Sequence, residues 1–251
     1  MQNLKNKTVV ITGGASGIGF ATAKELTEKK AKVIITGRQK DSVEKASKEI
    51  GAIGIVSDQS DLIQIESLVK NIAAQFEKID ALFINAGIAA FAPVSAISEE
   101  HYDTIMDINF KGALFTLQKF MPLLNDGASV IFLSSINAHN AMENTAVYAA
   151  SKAALNALAK VAAIELAPRG IRVNTVSPGP VNTPLWGKVG MNEEQLSQTA
   201  ALIQSKVPLK KFGSSEEIAK TVVFLTSDDS SYTTGAEFIV DGGFNLNTLV
   251  G

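Results

Sequence analysis

Short apolar runs alternate with longer amphipathic stretches along almost the whole chain. Thr8 to Thr12 (TVVIT), Lys32 to Thr36 (KVIIT), Ile53 to Ser57, Ala81 to Asn85 (ALFIN), Ser129 to Leu133 (SVIFL), Ile171 to Val176 and Glu237 to Val240 are short and rich in β-branched residues, and read as seven strands. Between them the spacing predicts helices from about Gly17 to Lys30, from after the second strand to about Ile50, from Leu62 to Glu77, from Ser98 to Leu124 with a bend at Pro122, from Thr145 to Glu165, and from Glu216 to Thr226. Pro184 to Val207 carries no regular pattern. Several strands are apolar on both faces, as in a parallel sheet covered on each side by helices. No linker or repeat breaks the alternation. The expectation is one doubly wound α/β domain over residues 1–251, a Rossmann fold with a parallel seven-stranded sheet, with residues 184–207 as a substrate lid. Such folds bind ligands at the carboxyl ends of their strands, so the residues that follow each strand matter most.

Composition narrows the function classes. A net charge of −2 and a pI near 5.8 lack the basic footprint of a nucleic-acid binder. The chain has no cysteine, which excludes disulfides, thiolate catalysis and cysteine-ligated metal. The N-terminal MQNLKNKTVVITGG lacks the apolar core and cleavage site of a signal peptide, and no apolar run approaches the length of a membrane span. A soluble, cytoplasmic protein with no membrane or nucleic-acid partner is expected. The two histidines, His101 and His139, are far apart and lack an acidic partner pattern, so neither a metal site nor a triad is expected from them. His139 falls near the expected pocket, within reach of substrate.

Two local motifs carry chemistry. After the first strand comes TGGASGIG, Thr12 to Gly19, with Gly13, Gly17 and Gly19 in a G-x3-G-x-G spacing. Glycines allow a tight turn and close approach by a pyrophosphate, and the following helix N-terminus offers N–H groups to the anion. The second motif is YAASK. Tyr148 and Lys152 are four residues apart in a helical run, so they share one face.

TGGASGIG, then NAG at Asn85 to Gly87, then Ser134–Ser135, then YAASK, then PGPVNT at Pro178 to Thr183, in that order, resemble the short-chain dehydrogenase/reductase family. The resemblance runs from about Lys7 to the DGG at Asp241 to Gly243. It implies a nicotinamide cofactor and a catalytic Asn, Ser, Tyr and Lys. Tyr148 and Lys152 match directly. The family serine lies thirteen residues before the tyrosine, at Ser135, which leaves Ser134 to face the core or make local hydrogen bonds. Asn109, in INFKG, matches the asparagine that opens its helix and supports a water relay to the lysine. The resemblance further implies cofactor contacts from Ile18 at the pyrophosphate, and from Asp58 and Gln59 at the adenine. Asn85, Ala86 and Gly87 fall along the adenosine, and Pro178, Gly179, Val181 and Thr183 around the nicotinamide. Lys152 also holds the nicotinamide ribose.

Ketone reduction needs a hydride on carbon and a proton on oxygen. A free tyrosine has a pKa of roughly 10. A nearby Lys⁺ and an oxidised nicotinamide both favour the phenolate, and a shift of about three units takes around 4 kcal/mol. Tyr148 is thus expected to have a lowered pKa and to act as general acid or base, with Ser135 holding the substrate oxygen.

After strand two the chain reads IITGRQK. Gly37 stands where NAD users place an acid, and Arg38 can pair with a 2′-phosphate through two hydrogen bonds. NADP(H) is the expected cofactor, with NAD(H) the alternative. Ser16 adds a hydroxyl, although the glycine loop lacks the extra Lys or Arg that many NADP users carry.

The substrate wall is expected from Phe91, Ile136, Asn137, Ala141 and Met142, and from Leu185, Trp186, Val189 and Met191 of the lid, which suits an apolar ketone or secondary alcohol. A 3-oxoacyl-carrier-protein reductase is the alternative. Its acidic carrier needs a basic dock, and MPLLNDG before strand five is not one, although Arg169 and Arg172 remain. A non-catalytic NADP sensor and an epimerase or dehydratase of the longer family branch are minor options. The YAASK helix has a second face of Ala146, Ala150, Ala153, Ala157, Val161 and Ile164. The family buries such a face between subunits, so a homotetramer is expected, with the C-terminal NLNTLVG packed on a neighbour.

Overall fold

The alternation becomes a three-layer sandwich because each central strand must bury both of its faces. The computed structural model describes residues 4–182 and 193–246. Its strands are β1 (Thr8–Thr12), β2 (Lys32–Gly37), β3 (Ile53–Val56), β4 (Ile79–Ile84), β5 (Leu124–Leu133), β6 (Arg172–Pro178) and β7 (Glu237–Val240). They form one seven-stranded sheet in the order β3-β2-β1-β4-β5-β6-β7, with every pairing parallel. Successive strand residues point to opposite faces. Val10 and Ile34 accordingly join one core with Leu82, Val130 and Val173, and Val9, Ile11, Val33 and Ile35 join the other with Phe83 and Ile131.

Helices cover both cores. α3 (Leu62–Ala73), α5 (Gly112–Phe120) and α6 (Ala146–Leu166) supply Leu68, Ile72, Leu117, Leu155 and Leu166 to the first. α1 (Gly17–Glu28), α2 (Lys40–Ile50) and α8 (Ser215–Thr226) supply Ala23, Leu26, Ala46, Ile218 and Val222 to the second. Strand order reverses between β1 and β4, which opens a crevice at their carboxyl ends.

Three local readings change. The stretch expected as one helix from Ser98 to Leu124 is α4 (Glu99–Met106), a π-turn at Asp107–Lys111, and α5. The interruption is at Asn109 and not at Pro122, because the helix already ends at Phe120 and Pro122 lies in a separate 3-10 turn, Met121–Leu123. α3 stops at Ala73, short of Glu77. The stretch without a pattern contains α7 (Glu193–Lys206). Leu202 there is exposed and Ile203 half-buried, so α7 has no continuous apolar stripe for periodicity to register. Among the described residues, no helix is long and apolar enough to cross a membrane.

Candidate active site

The glycine loop leaves β1 in a backbone conformation that side chains disfavour. Gly13 has φ +65° and Gly17 φ +54°. A Cβ on Gly13 would come within 2.9 Å of Ala86 Cα, and one on Gly19 within 2.5 Å of the Gly13 carbonyl oxygen. Gly19 thus acts as a packing position, while Gly13 and Gly17 line the groove above it. Asn85 fastens the loop, since its Nδ2 donates to the Thr12 and Gly13 carbonyl oxygens at 2.9 and 3.0 Å. Thr12 Oγ1 accepts from the N–H groups of Asn85 and Ala86, each at 3.1 Å. Ser16 precedes α1 in an extended conformation and makes no side-chain cap bond.

A groove of about 440 Å³ runs from this loop along the ends of β2, β3 and β4. Gly13, Ser16, Gly17, Ile18, Gly37, Arg38, Asp58, Gln59, Asn85, Ala86 and Gly87, all singled out in the sequence, line it. So do Thr36, Ser42, Ile65 and Thr116, which lacked a motif to mark them. Arg38 is exposed and forms no ion pair among the described residues. Asp58 Oδ1 accepts from the backbone N–H and the hydroxyl of Ser60 at 2.9 and 2.8 Å.

A smaller cavity of about 210 Å³ shares Ile18, Asn85, Gly87, Ile88 and Leu133 with that groove. Its wall includes Ser135, Ile136, Asn137, Met142, Phe91 and Tyr148, singled out in the sequence for substrate, and Lys152, Pro178, Gly179 and Val181, singled out for cofactor, together with Ile88, Ala89, Pro180, Ile203 and Phe244. Phe91 packs edge-on against Tyr148, with ring centroids 6.1 Å apart. Ala141 is exposed and lies off the wall, beyond the turn that carries Asn137. Thr183, Leu185, Trp186, Val189 and Met191 lie outside the described residues.

Helical spacing works as expected at YAASK. The Lys152 ammonium lies 5.8 Å from the centre of the Tyr148 ring, and donates to the Leu133 carbonyl oxygen at 2.8 Å. Lys152 is only 4% exposed. Ser135 caps a 3-10 turn, Ile136–Ala138, by accepting from the Asn137 N–H at 3.2 Å, and also hydrogen-bonds Tyr148. Ser134 turns inward, its hydroxyl donating to the Lys152 carbonyl oxygen at 3.1 Å. Asn109 is buried beside the same site. Its Oδ1 accepts from Ile88 N–H at 2.8 Å, and its Nδ2 donates to Ile88 O at 2.9 Å and Ser151 Oγ at 3.1 Å. A Cβ on Gly87 would meet Asn109 Oδ1 at 3.2 Å and Lys152 Nζ at 3.5 Å, so both groups converge on Gly87.

Electrostatics correct one expectation. Burial pushes the Tyr148 phenol above its ordinary 10.0, against the weaker opposing effect of its hydrogen bond with Ser135. The same burial lowers Lys152 to about 8. Helical spacing had suggested a fixed cation holding the phenol down. In the folded protein the desolvation that encloses the pair acts on both groups and favours their neutral forms.

His139 is the second correction. It is absent from the cavity wall and pairs instead with Glu237 on β7, its Nε2 at 2.8 Å from each carboxylate oxygen. The acidic partner lies 98 residues away, where local spacing could not reveal it.

The chemistry of the groove fits a dinucleotide. A helix N-terminus and close-packed glycines meet its middle, and an unpaired guanidinium lies at one end. The family model for enoyl-(acyl carrier protein) reductases matches residues 13–245. The chain is 36% identical over 250 residues to the NADP-dependent (R)-specific alcohol dehydrogenase of Lentilactobacillus kefiri, covering 96% of this chain and 97% of that one. It is 35% identical over 247 residues to a 3-oxoacyl-[acyl-carrier-protein] reductase of Thermotoga maritima, covering 96% and 98% of the two chains. Among solved structures, a short-chain dehydrogenase/reductase from Serratia marcescens BCRC 10948 superposes with a TM-score of 0.89 at 30% identity, over 96% of this chain and 99% of that one.

Proposed function

The chain belongs to the short-chain dehydrogenase/reductase family, and we propose that within it the protein is an NADP(H)-dependent carbonyl reductase, a secondary-alcohol dehydrogenase in the reverse direction. One observation carries the reading. Ser135, Tyr148 and Lys152 share the wall of a cavity that opens into a groove suited to a dinucleotide.

When bound, the nicotinamide supplies or accepts the hydride. Gly13, Ser16, Gly17 and Ile18 hold the pyrophosphate at the α1 N-terminus. Asp58, Gln59, Ala86 and Gly87 border the adenosine, and Asn85 acts through the loop it fastens. Arg38 binds the 2′-phosphate, in a place where Gly37 offers no carboxylate to oppose it. The similar alcohol dehydrogenase of Lentilactobacillus kefiri is NADP-dependent, which supports this reading.

Ser135 orients the substrate oxygen beside the Tyr148 hydroxyl. Burial keeps Tyr148 protonated at neutral pH, which is the state a general acid needs for reduction. In alcohol oxidation it works as the base, and the positive nicotinamide then favours the phenolate. Lys152, still mostly charged at neutral pH with a value of about 8, holds the nicotinamide ribose and faces the phenol. Asn109 supports a proton path to Lys152 from the π-turn that carries it.

The described cavity wall is predominantly apolar, which suits a neutral ketone. A carrier-bound substrate ranks lower, despite the similarity to the Thermotoga maritima reductase. Arg169 is engaged by Asp126 at 2.9 Å and by the Met121 and Leu124 carbonyls. Arg172 is buried and donates to the Leu225 and Ser227 carbonyls. Neither arginine offers a dock for an acidic carrier. The exposed face of α6, with Ala146, Ala150, Ala153, Ala157, Val161 and Ile164, is our candidate subunit contact for a homotetramer.

The test is oxidation of NADPH and of NADH over a panel of apolar ketones, with Tyr148→Phe alongside. NADPH-selective turnover that the substitution lowers by about a thousandfold or more supports the reading, since it removes the proton donor. Tight NADPH binding without turnover of any ketone would favour a sensor.

A further inference from the structure

A single carboxylate ties together three elements of the candidate site. Glu237 opens β7, and its side chain is 15% exposed. His139 Nε2 lies 2.8 Å from both of its oxygens, and Asn156 Nδ2 lies 3.3 Å from the same ring nitrogen. Asn156 Nδ2 donates to Oε1 at 3.0 Å, and Ser177 Oγ donates to the same oxygen at 2.5 Å. The three partners come from the segment after Ser135, from α6 and from β6.

Each partner lies next to a group proposed for the chemistry. His139 ends the 3-10 turn that Ser135 caps, and its N–H donates to the Ile136 carbonyl oxygen at 2.9 Å. Asn156 is one further helical step beyond Tyr148 and Lys152, on the same face of α6. Ser177 directly precedes Pro178 and Gly179, which line the cavity. The described hydrogen bonds of the Glu237 carboxylate all run to these three partners, and none of the three lines the cavity. We propose that Glu237 is a positioning residue: through His139, Asn156 and Ser177 it sets the Ser135 turn in register with the Tyr148–Lys152 helix and the nicotinamide-facing end of β6.

The proposal rests on the reductase reading. A displacement of about 1 Å between reacting groups can lower a rate by about a hundredfold without changing ground-state affinity much. Alanine at Glu237 should therefore cut kcat by about tenfold to a hundredfold and leave the Kd for NADPH within about twofold. Glu237→Gln keeps an oxygen for Ser177 and Asn156 and should restore kcat to within roughly fivefold of the parent. His139→Ala, which removes a half-exposed side chain, provides a folded second variant if Glu237→Ala does not fold, and should lower kcat by several-fold at unchanged NADPH affinity.

Amide hydrogen exchange of the intact protein tests the fastening without a substrate. Faster exchange at Ala138, His139 and Asn140 in Glu237→Ala or His139→Ala, relative to parent, is expected. Unchanged exchange there would overturn the tie, whatever the enzyme turns over. Altered exchange with parental kcat in both alanine variants would overturn the positioning role. Absence of turnover in the parent itself would instead count against the reductase reading, and exchange would still decide whether Glu237 fastens the turn.

Discussion

Asn109 holds Ile88 by both of its backbone polar groups, accepting from the N–H at 2.8 Å and donating to the carbonyl at 2.9 Å. The side chain thereby stands in for a neighbouring strand just beyond the end of β4, and it does so from a π-turn that swings it out of a regular helix. Its remaining donation, to Ser151 Oγ, reaches α6 next to Lys152. Ser151 in turn donates to the Tyr148 carbonyl oxygen at 2.7 Å. One asparagine therefore connects the β4 loop to the helix that carries the tyrosine and the lysine.

Asn109→Ala should leave the half-buried Ile88 N–H and C=O without their side-chain partner. The expected cost is about 3 kcal/mol of stability. Denaturant midpoints at constant m-value measure it. Turnover should fall by at least about tenfold with it, and a loss of stability at unchanged kcat would confine Asn109 to a structural role.

Lys152 makes the site costly to fold. Its folded pKa of about 8, against 10.5 for the exposed side chain, means that the unfolded chain binds more protons between those values. Stability from this group therefore rises as pH climbs from about 8 towards 10.5, and below that window the buried ammonium costs about 3 kcal/mol. Lys152→Met should abolish turnover, yet raise the unfolding free energy at pH 7 by up to about 2 kcal/mol once the lost Leu133 bond is allowed for. The gap should narrow toward pH 10. Chemical denaturation of both proteins at the two pH values checks the sign.

The two directions of reaction should diverge with pH. Tyr148 is raised by burial, so its proton is available through the neutral range, and Lys152 discharges near 8. Ketone reduction should hold steady up to about pH 8 and then fall, whereas alcohol oxidation should rise as the phenol ionises. Initial rates in both directions between about pH 6 and 10 read this. A reduction rate that climbed from pH 8 to 10 would exclude Tyr148 as the acid.

Arg38 and Gly37 should set the cofactor. Arg38→Leu should raise the KM for NADPH by about tenfold to a hundredfold, the worth of a charge-assisted pair, with little effect on NADH. Gly37→Asp should reverse the preference by repelling the 2′-phosphate. A Cβ at position 37 meets Val43 Cγ2 at 3.0 Å and Ala15 Cβ at an ordinary 3.7 Å, so a small shift of the Val43 side chain admits it and the variant should fold. Kinetics with both cofactors at fixed ketone decide the matter.

Strand positions, helix spacing and the glycine loop were legible because each depends on neighbours a few residues apart. Alternation of period two placed Val10 in one core and Val9 and Ile11 in the other, and the i, i+4 step brought Tyr148 to Lys152. Family resemblance pointed to Ser135, which the fold brings to the same cavity. Tertiary structure alone decided what depends on distant partners or on burial. α7 was missed because its residues, EEQLSQTAALIQSK, present no continuous apolar stripe. His139 found Glu237 only when β7 was laid beside β6, and Asn109 found Ile88 only when a π-turn aimed it there. The ionisation of Tyr148 and Lys152 followed the same rule. Helical spacing sets which groups meet, but the depth at which the fold buries them sets which protonation state each prefers.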